Sequence, residues 1–283
     1  MPSFKGKCYV CGSVRGFEIA DNAVLYREAR CPQCGASIRN SDVAQTLLKE
    51  LINEETFLQE SISKLREYHI LGTCTSGILH ECLKELPNYK TGEFLDGIKS
   101  GEWKDGVQCI DLRDIPFEDE KFDLIISEDV LEHIEGIDMA FLEIYRVLKY
   151  GGKHIFTIPL HEHSITKYRT ADMRAVYHGD PIRQTGALVH TDFGYDINEI
   201  LLKYKLMTRE KRLHVFYDKS QVTDVDKDYE NYIRLRESLE QFFKYNSVVF
   251  ISEKVGNLKM HLIGNKHRIG KGISYINKLM RRR

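Results

Sequence analysis

The sequence predicts a doubly wound α/β domain preceded by a small metal-binding module. Three observations carry this reading. From Tyr68 onward, short apolar segments of strand character alternate with segments of helical spacing, the pattern of a parallel sheet wound by helices. One segment, Phe122–Ser127 (FDLIIS), is apolar along nearly its whole length, as a strand covered on both faces must be. Ahead of the alternation lie two Cys-x-x-Cys pairs, Cys8/Cys11 and Cys31/Cys34, separated by 19 residues.

Residues 1–40 are too few to fold on an apolar core alone and need a staple. Four thiolates at this spacing suit tetrahedral Zn²⁺, a zinc-ribbon-like module. Gly12 and Gly35 follow the second cysteine of each pair, where a left-handed residue lets backbone N–H groups point at sulfur. A closed four-thiolate site has no open position, so this zinc would fold the module and not catalyse. A redox Cys-x-x-Cys or an iron–sulfur site are the competing readings. Of the other cysteines, Cys82 and Cys109 read as small buried hydrophobes. Met1–Val10 lacks a secretory apolar run, and no segment approaches the ~18 apolar residues of a membrane span. The expectation is a cytoplasmic, reducing location, where cysteines are free or bound to metal.

Ser41 or Asp42 is placed to cap a connecting helix over 41–66, along which Val43, Leu47, Leu48, Leu51, Ile52, Phe57, Leu58 and Ile62 recur at helical spacing. The main domain is expected over 67–253. His69–Leu71 opens a strand, Ile78–Leu86 is helical, and Val107–Ile110 and Phe122–Ser127 are strands. Asp138–Leu148 is helical, Gly151-Gly152 turns the chain, and His154–Ile158 is the next strand. Asn198–Tyr204 is helical, and Leu213–Tyr217 and Val248–Ser252 are late strands. Residues 160–195 are irregular and rich in His, Asp and Gly, as a substrate-covering loop would be. Nine Lys/Arg and no acid follow Glu253, so a net charge of -1 for the whole chain leaves -10 on residues 1–253. The basic tail 254–283 suits an anionic membrane surface, at the inner face for example, or RNA. A solvated tail, or a helix docked on the acidic body, fits it equally.

The stretch Ile115–Pro159 (IPFEDEKFDLIISEDVLEHIEGIDMAFLEIYRVLKYGGKHIFTIP), with Asp111 four residues ahead of it, resembles the middle of class I S-adenosylmethionine-dependent methyltransferases, type 11-like. The shared features are the Asp before Ile-Pro-Phe, the FD strand, the VLEH turn, the RVLK helix end and the GG turn. The resemblance covers roughly residues 66–253 and implies a Rossmann-like sheet of seven strands. It also implies S-adenosylmethionine held by Gly72, Thr73, Gly77, Glu93, Asp111, Leu112 and Glu128. In it Asp111 accepts from the adenine amino group, Glu93 takes the ribose hydroxyls, and Glu128 lies beside the sulfonium. One departure stands out. The family's first loop reads E-x-G-x-G-x-G, whereas here Leu71-Gly72-Thr73-Cys74-Thr75-Ser76-Gly77 keeps only Gly77 and lacks the acid. A degenerate binding module is therefore an alternative.

Asp129, Glu132 and His133 fall at i, i+3 and i+4, one face if a helix begins there. This resembles the E-x-x-E-H helix of methyltransferase groups acting on small-RNA ends and on ubiquinone precursors. That resemblance implies a divalent ion in the active site, completed by a later histidine such as His161, His163, His178 or His190. Mixed carboxylate and imidazole donors suit Mg²⁺, Mn²⁺ or Zn²⁺. Without an ion, these side chains cap the turn and line the pocket. His133, His163 and His190 are the candidate catalytic bases, since a neutral imidazole can take a hydroxyl proton. Tyr177–Pro181 and Val189–Asp196 are similar to stretches of bacterial methyltransferases encoded among sugar and surface-polysaccharide enzymes. That implies a small-molecule or glycan O-methyltransferase, with an RNA methyltransferase using the cysteine module and tail as the alternative.

Overall fold

The computed structural model describes residues 3–19, 26–179, 185–213, 222–223 and 247–256. Its centre is a sheet of six strands, β1 (Ile70–Gly72), β2 (Tyr89–Thr91), β3 (Phe122–Glu128), β4 (Leu148–Thr157), β5 (Leu206–Lys211) and β6 (Val249–Lys254), in the spatial order β5-β6-β4-β3-β1-β2. The first four run parallel, and β6 lies antiparallel between β4 and β5. A parallel bridge from Glu93 to Cys109 carries the pairing one position past β2. The segment expected as a strand over Val107–Ile110 supplies this seventh position, and its start folds back as a hairpin with Trp103–Lys104. Chain order reverses between β1 and β3. The carboxyl ends of those strands border the crevice in which open α/β sheets bind ligands.

Side chains alternate along the strands and divide the core into two layers. Ile70, Leu124, Ile126, Ile155, Val249 and Ile251 pack with α1 (Ile38–Leu51) and α2 (Gly77–Leu83). Leu71, Phe122, Ile125, Phe156 and Phe250 pack with α3 (Ile137–Val147) and α4 (Ile197–Lys203). The first layer runs without a break into the cysteine module, whose Val10, Phe17, Ile19, Ala29 and Ala36 belong to the same buried cluster. A module too small for its own core thus shares the core of the sheet.

The helix after the module starts earlier than expected. Ser37, not Ser41 or Asp42, is its cap: Ser37 Oγ accepts from the Asn40 backbone at 3.1 Å, and Asn40 Oδ1 accepts from the Ser37 backbone at 3.0 Å. This is a capping box with Asn in the third position. Ser41 and Asp42 are buried in the first turn, where Ser247 Oγ donates to Asp42 at 2.5 Å. The segment to residue 66 is not one helix. α1 ends at Leu51, Asn53 takes a φ of 56°, and short turns cover Leu58–Ser61 and Ile62–Leu65.

Elsewhere the sequence pattern lands close. Helices expected over Ile78–Leu86, Asp138–Leu148 and Asn198–Tyr204 lie at Gly77–Leu83, Ile137–Val147 and Ile197–Lys203. Arg146 of the RVLK motif explains why that motif travels with Ile-Pro-Phe. Its guanidinium donates to the carbonyls of Ile115 and Phe117, each at 2.8 Å, while Glu143 accepts from Ile115 N at 3.0 Å. The strand expected over Leu213–Tyr217 lies mostly outside the described residues, and β5 occupies Leu206–Lys211 instead. This edge strand is charged because Arg209 and Lys211 pair with Glu50 of α1. An edge strand needs less apolar surface than a central one. The irregular stretch 160–195 holds two antiparallel ladders, Lys167–Tyr168 with Thr191–Asp192 and Tyr177–His178 with Ala187–Leu188. The tail beyond residue 256 lies outside the described residues.

Candidate active site

The crevice is built from the carboxyl ends of β1, β2 and β3. After Gly72 the chain turns into α2, whose first residue Gly77 has a φ of +87°, a region glycine adopts without steric cost. Hydrogen bonds hold a loop with few glycines. Thr73 N donates to Ile126 O at 3.2 Å, Thr91 Oγ1 to Cys74 O at 2.7 Å, and Thr75 N to Glu93 Oε1 at 2.9 Å. Thr75 Oγ1 donates to the same Glu93 oxygen. Gly92 is fixed by space: a Cβ there would lie 2.3 Å from Gln108 O. Only glycine lets the chain pass and bring Glu93 to the crevice.

At the outer side, Asp111 is held by Arg113, which donates from its backbone at 2.9 Å, Nε at 3.0 Å and Nη2 at 2.7 Å. Ser100 Oγ accepts from Asp111 N at 3.0 Å. Leu112 is buried in the core on the α3 and α4 side.

At the inner side, the end of β3 meets the cysteine module. Asn40 Nδ2 donates to Glu128 Oε1 at 2.8 Å. Asp129 has a φ of 53°, uncommon for a residue with a side chain. Its backbone donates to Thr157 O at 3.0 Å, and its carboxylate accepts from Thr157 Oγ1 at 3.0 Å, Arg39 Nη1 at 2.7 Å and both terminal nitrogens of Arg27. Burial by itself would raise the Asp129 carboxyl, but the Arg39 and Arg27 guanidiniums outweigh it and hold it at about 2. Burial pushes the neighbouring Glu128 carboxyl up, against the pull of Arg39.

The left-handed Asp129 and a 3-10 turn at Leu131–His133 replace the helix expected here. Asp129, Glu132 and His133 therefore do not share one helical face, and the Asp129 carboxylate turns to the cysteine module. Glu132 and His133 instead meet His178, their candidate ligand atoms all within 4.8 Å of one another. Glu132 is buried, with neither carboxylate oxygen hydrogen bonded, and Glu132 Oε1 lies 3.6 Å from His133 Nε2 and 3.6 Å from His178 Nδ1. Burial pushes its carboxyl up. His133 Nδ1 lies 2.8 Å from Leu188 O. A carbonyl only accepts, so Nδ1 carries the proton and Nε2 the lone pair.

Of the other candidate bases, His190 is half-buried and ties its ladder to the site through its backbone, donating to Glu132 O at 2.7 Å. His163 is exposed in the turn after β4. The four module cysteines also come together. Cys8 Sγ and Cys34 Sγ are 3.7 Å apart, as are Cys11 Sγ and Cys31 Sγ, and the Gly12 and Gly35 amides close the two turns at 2.8 and 2.9 Å. The edge of a tetrahedron of ~2.3 Å Zn–S bonds is ~3.8 Å, so the set fits zinc.

The sequence offers His178 only as one of four histidines that could complete an ion site, and it assigns no role to Thr75, Arg27 or Arg39. The two arginines carry no local signal, because their partner Asp129 lies 102 and 90 residues away.

Part of this crevice lies in a segment that known proteins share. Residues 91–156 match the family model described as methyltransferase domain. The chain is 29% identical over 111 residues to uncharacterized protein MJ0638 of Methanocaldococcus jannaschii, a match covering 38% of this chain and 49% of that protein, so the chain spans about half of the curated relative it matches. Among solved structures, PH0226 protein from Pyrococcus horikoshii is 15% identical with a TM-score of 0.42, covering 75% of this chain and 88% of that one. An S-adenosylmethionine-dependent methyltransferase from Mesorhizobium loti is 14% identical with a TM-score of 0.40, covering 69% and 94%.

Proposed function

We propose that this chain, which carries an S-adenosylmethionine-dependent methyltransferase domain, methylates a hydroxyl of a sugar, glycan or other small molecule. The observation that carries this reading is a coincidence of position. The matched residues 91–156 supply Glu93, Asp111 and Glu128, which border the crevice where strand order reverses. S-adenosylmethionine, when bound, supplies a methyl group on a positively charged sulfur. Glu93 takes the ribose hydroxyls, Asp111 the adenine amino group, and the Gly72–Gly77 loop passes close to the cofactor, with Leu112 packed in the core behind Asp111. The Thr75 bonds to Glu93 supply the rigidity that the missing glycines would not. The degenerate-module alternative rests on the altered first loop alone.

His133 leads as the base. With no ion bound, the neutral ring keeps its proton on Nδ1, oriented by Leu188 O, and its Nε2 lone pair accepts the hydroxyl proton. His190 and His163 are secondary, the first tied to the site by its backbone and the second exposed on the rim. The acceptor's C–O bond forms as the C–S bond breaks. The chain's main contribution is alignment of the two.

Glu132, His133 and His178 are also the set that would hold a divalent ion. An enclosed carboxylate without hydrogen bonds, facing two imidazoles, is a donor set in need of a cation. Such an ion would supply polarisation of acceptor oxygens. Cys8, Cys11, Cys31 and Cys34 would hold zinc as a structural ion.

Exposed Tyr168 and Tyr177 on the two ladders offer rings for a sugar face. RNA methylation is less supported, because the module carries few cations and one of them, Arg27, is buried against Asp129. No helix among the described residues is long and apolar enough to cross a membrane. Membrane or RNA contact through the tail rests on charge alone. The test is transfer of radiolabelled methyl from S-adenosylmethionine across nucleotide sugars, oligosaccharides and RNA. Label in a sugar supports the reading, and label in RNA alone replaces it.

A further inference from the structure

We infer that the cysteine module forms part of the methyl-donor site, with Arg39, Asp129 and Glu128 recognising the zwitterionic amino-acid end of the cofactor. The inference rests on the cofactor reading above and assigns a subsite to residues that reading leaves out.

The argument begins with position. Glu93 follows β2, and β3 lies two strands further in, about 10 Å at the usual strand spacing. A cofactor with its ribose on Glu93 runs along the crevice past the Gly72–Gly77 loop and ends at the carboxyl end of β3. There an α-ammonium and an α-carboxylate must both find partners, since charges leaving water need compensation. The acid that usually opens the first loop is Leu71 here, so the ammonium needs another carboxylate.

The end of β3 offers both signs. Glu128 and Asp129 are anions, and Arg39 and Arg27 are cations brought by the module, Arg39 on α1 and Arg27 on the short turn Tyr26–Glu28. Exposure separates their roles. Side chains of Arg39 and Asp129 keep 18% and 19% of their surface accessible, whereas Arg27 keeps 6%. Arg27 is the internal counter-ion of Asp129, and Arg39 is the guanidinium a ligand can reach. Arg39 is held in place by two anions, its Nε 3.4 Å from Glu28 Oε1 and its Nη1 donating to Asp129 at 2.7 Å. A carboxylate suits the planar donor face of arginine. The left-handed Asp129 backbone, fixed by Thr157, keeps the opposite charge beside it.

The test compares two ligands that differ in this end alone. S-adenosylhomocysteine carries the amino-acid group, and 5'-methylthioadenosine lacks it. Calorimetry on the zinc-loaded full chain should show that Arg39→Gln weakens S-adenosylhomocysteine by about tenfold or more and leaves methylthioadenosine unchanged. Arg39→Lys should recover part of the loss, and bound zinc should stay at the wild-type value in both folded variants. If Arg39→Gln weakens both ligands alike, or neither, while the protein stays folded, the inference is overturned and the cofactor reading stands. If the wild type binds neither ligand, the cofactor reading falls and takes the inference with it.

Discussion

Arg27 and Asp129 meet across 102 residues of sequence, one guanidinium donating to both oxygens of one carboxylate. The first belongs to the cysteine module and the second to the rim of the candidate active site. Together with Arg39 and the shared core, this contact makes the module a wall of the crevice, continuous with the sheet.

Asp129→Asn should therefore lower stability on the order of 3 kcal/mol at neutral pH, because Arg27 is left enclosed without its counter-ion. The pH dependence has a definite sign. The folded carboxyl is held at about 2, below the ~3.9 of an unfolded aspartate. Its contribution is present above about pH 4 and is lost as pH falls toward 2. Denaturant midpoints of wild type and variant should differ at pH 7 and converge only as pH falls to about 2. A constant gap would contradict the ion-pair account.

Zinc should co-purify at about one equivalent, as four thiolates at tetrahedral spacing require. Cys31→Ser should lose that zinc. Because the module and the sheet share one buried cluster, the variant should show a lower melting temperature in a single transition. Two separated transitions, with the sheet melting at its wild-type temperature, would show that the cores are independent.

A second divalent ion should bind Glu132, His133 and His178. Dialysis with a chelator too mild to strip the cysteine site, followed by Mn²⁺ add-back, should abolish and restore turnover. His178→Ala should remove the second equivalent and keep the first. Turnover indifferent to chelator and Mn²⁺ would leave His133 acting as a base without an ion.

The legible parts of this fold were those whose signal is local. The strand β3 is legible because a strand buried on both faces carries an apolar run, here Leu124–Ile126, and the cysteine pairs because ligand spacing is a chain property. Asp111, Ile-Pro-Phe and RVLK could be read as one pattern, and Arg146 bonding to Ile115 and Phe117 supplies its physical basis. What could not be read depends on distant partners. β5 is an edge strand whose charges pair with Glu50, so it lacks the apolar run that marks a central strand. Asp129 was read as part of a helix, since i, i+3, i+4 spacing carries no sign of φ. Its left-handed turn is held by Thr157 and two arginines from the other end of the chain. His178 was one histidine among several, and only the pairing of Tyr177–His178 with Ala187–Leu188 singles it out.

The central claim is that the crevice between β1 and β3 holds S-adenosylmethionine, and thermal unfolding with its demethylated product tests it most directly. A ligand bound only by the folded chain raises the melting temperature. S-adenosylhomocysteine should raise it for the wild type, Glu93→Ala should weaken the effect, and Asp111→Ala should abolish it. No shift in the wild type at millimolar ligand, with the protein folded and zinc-loaded, would contradict the account.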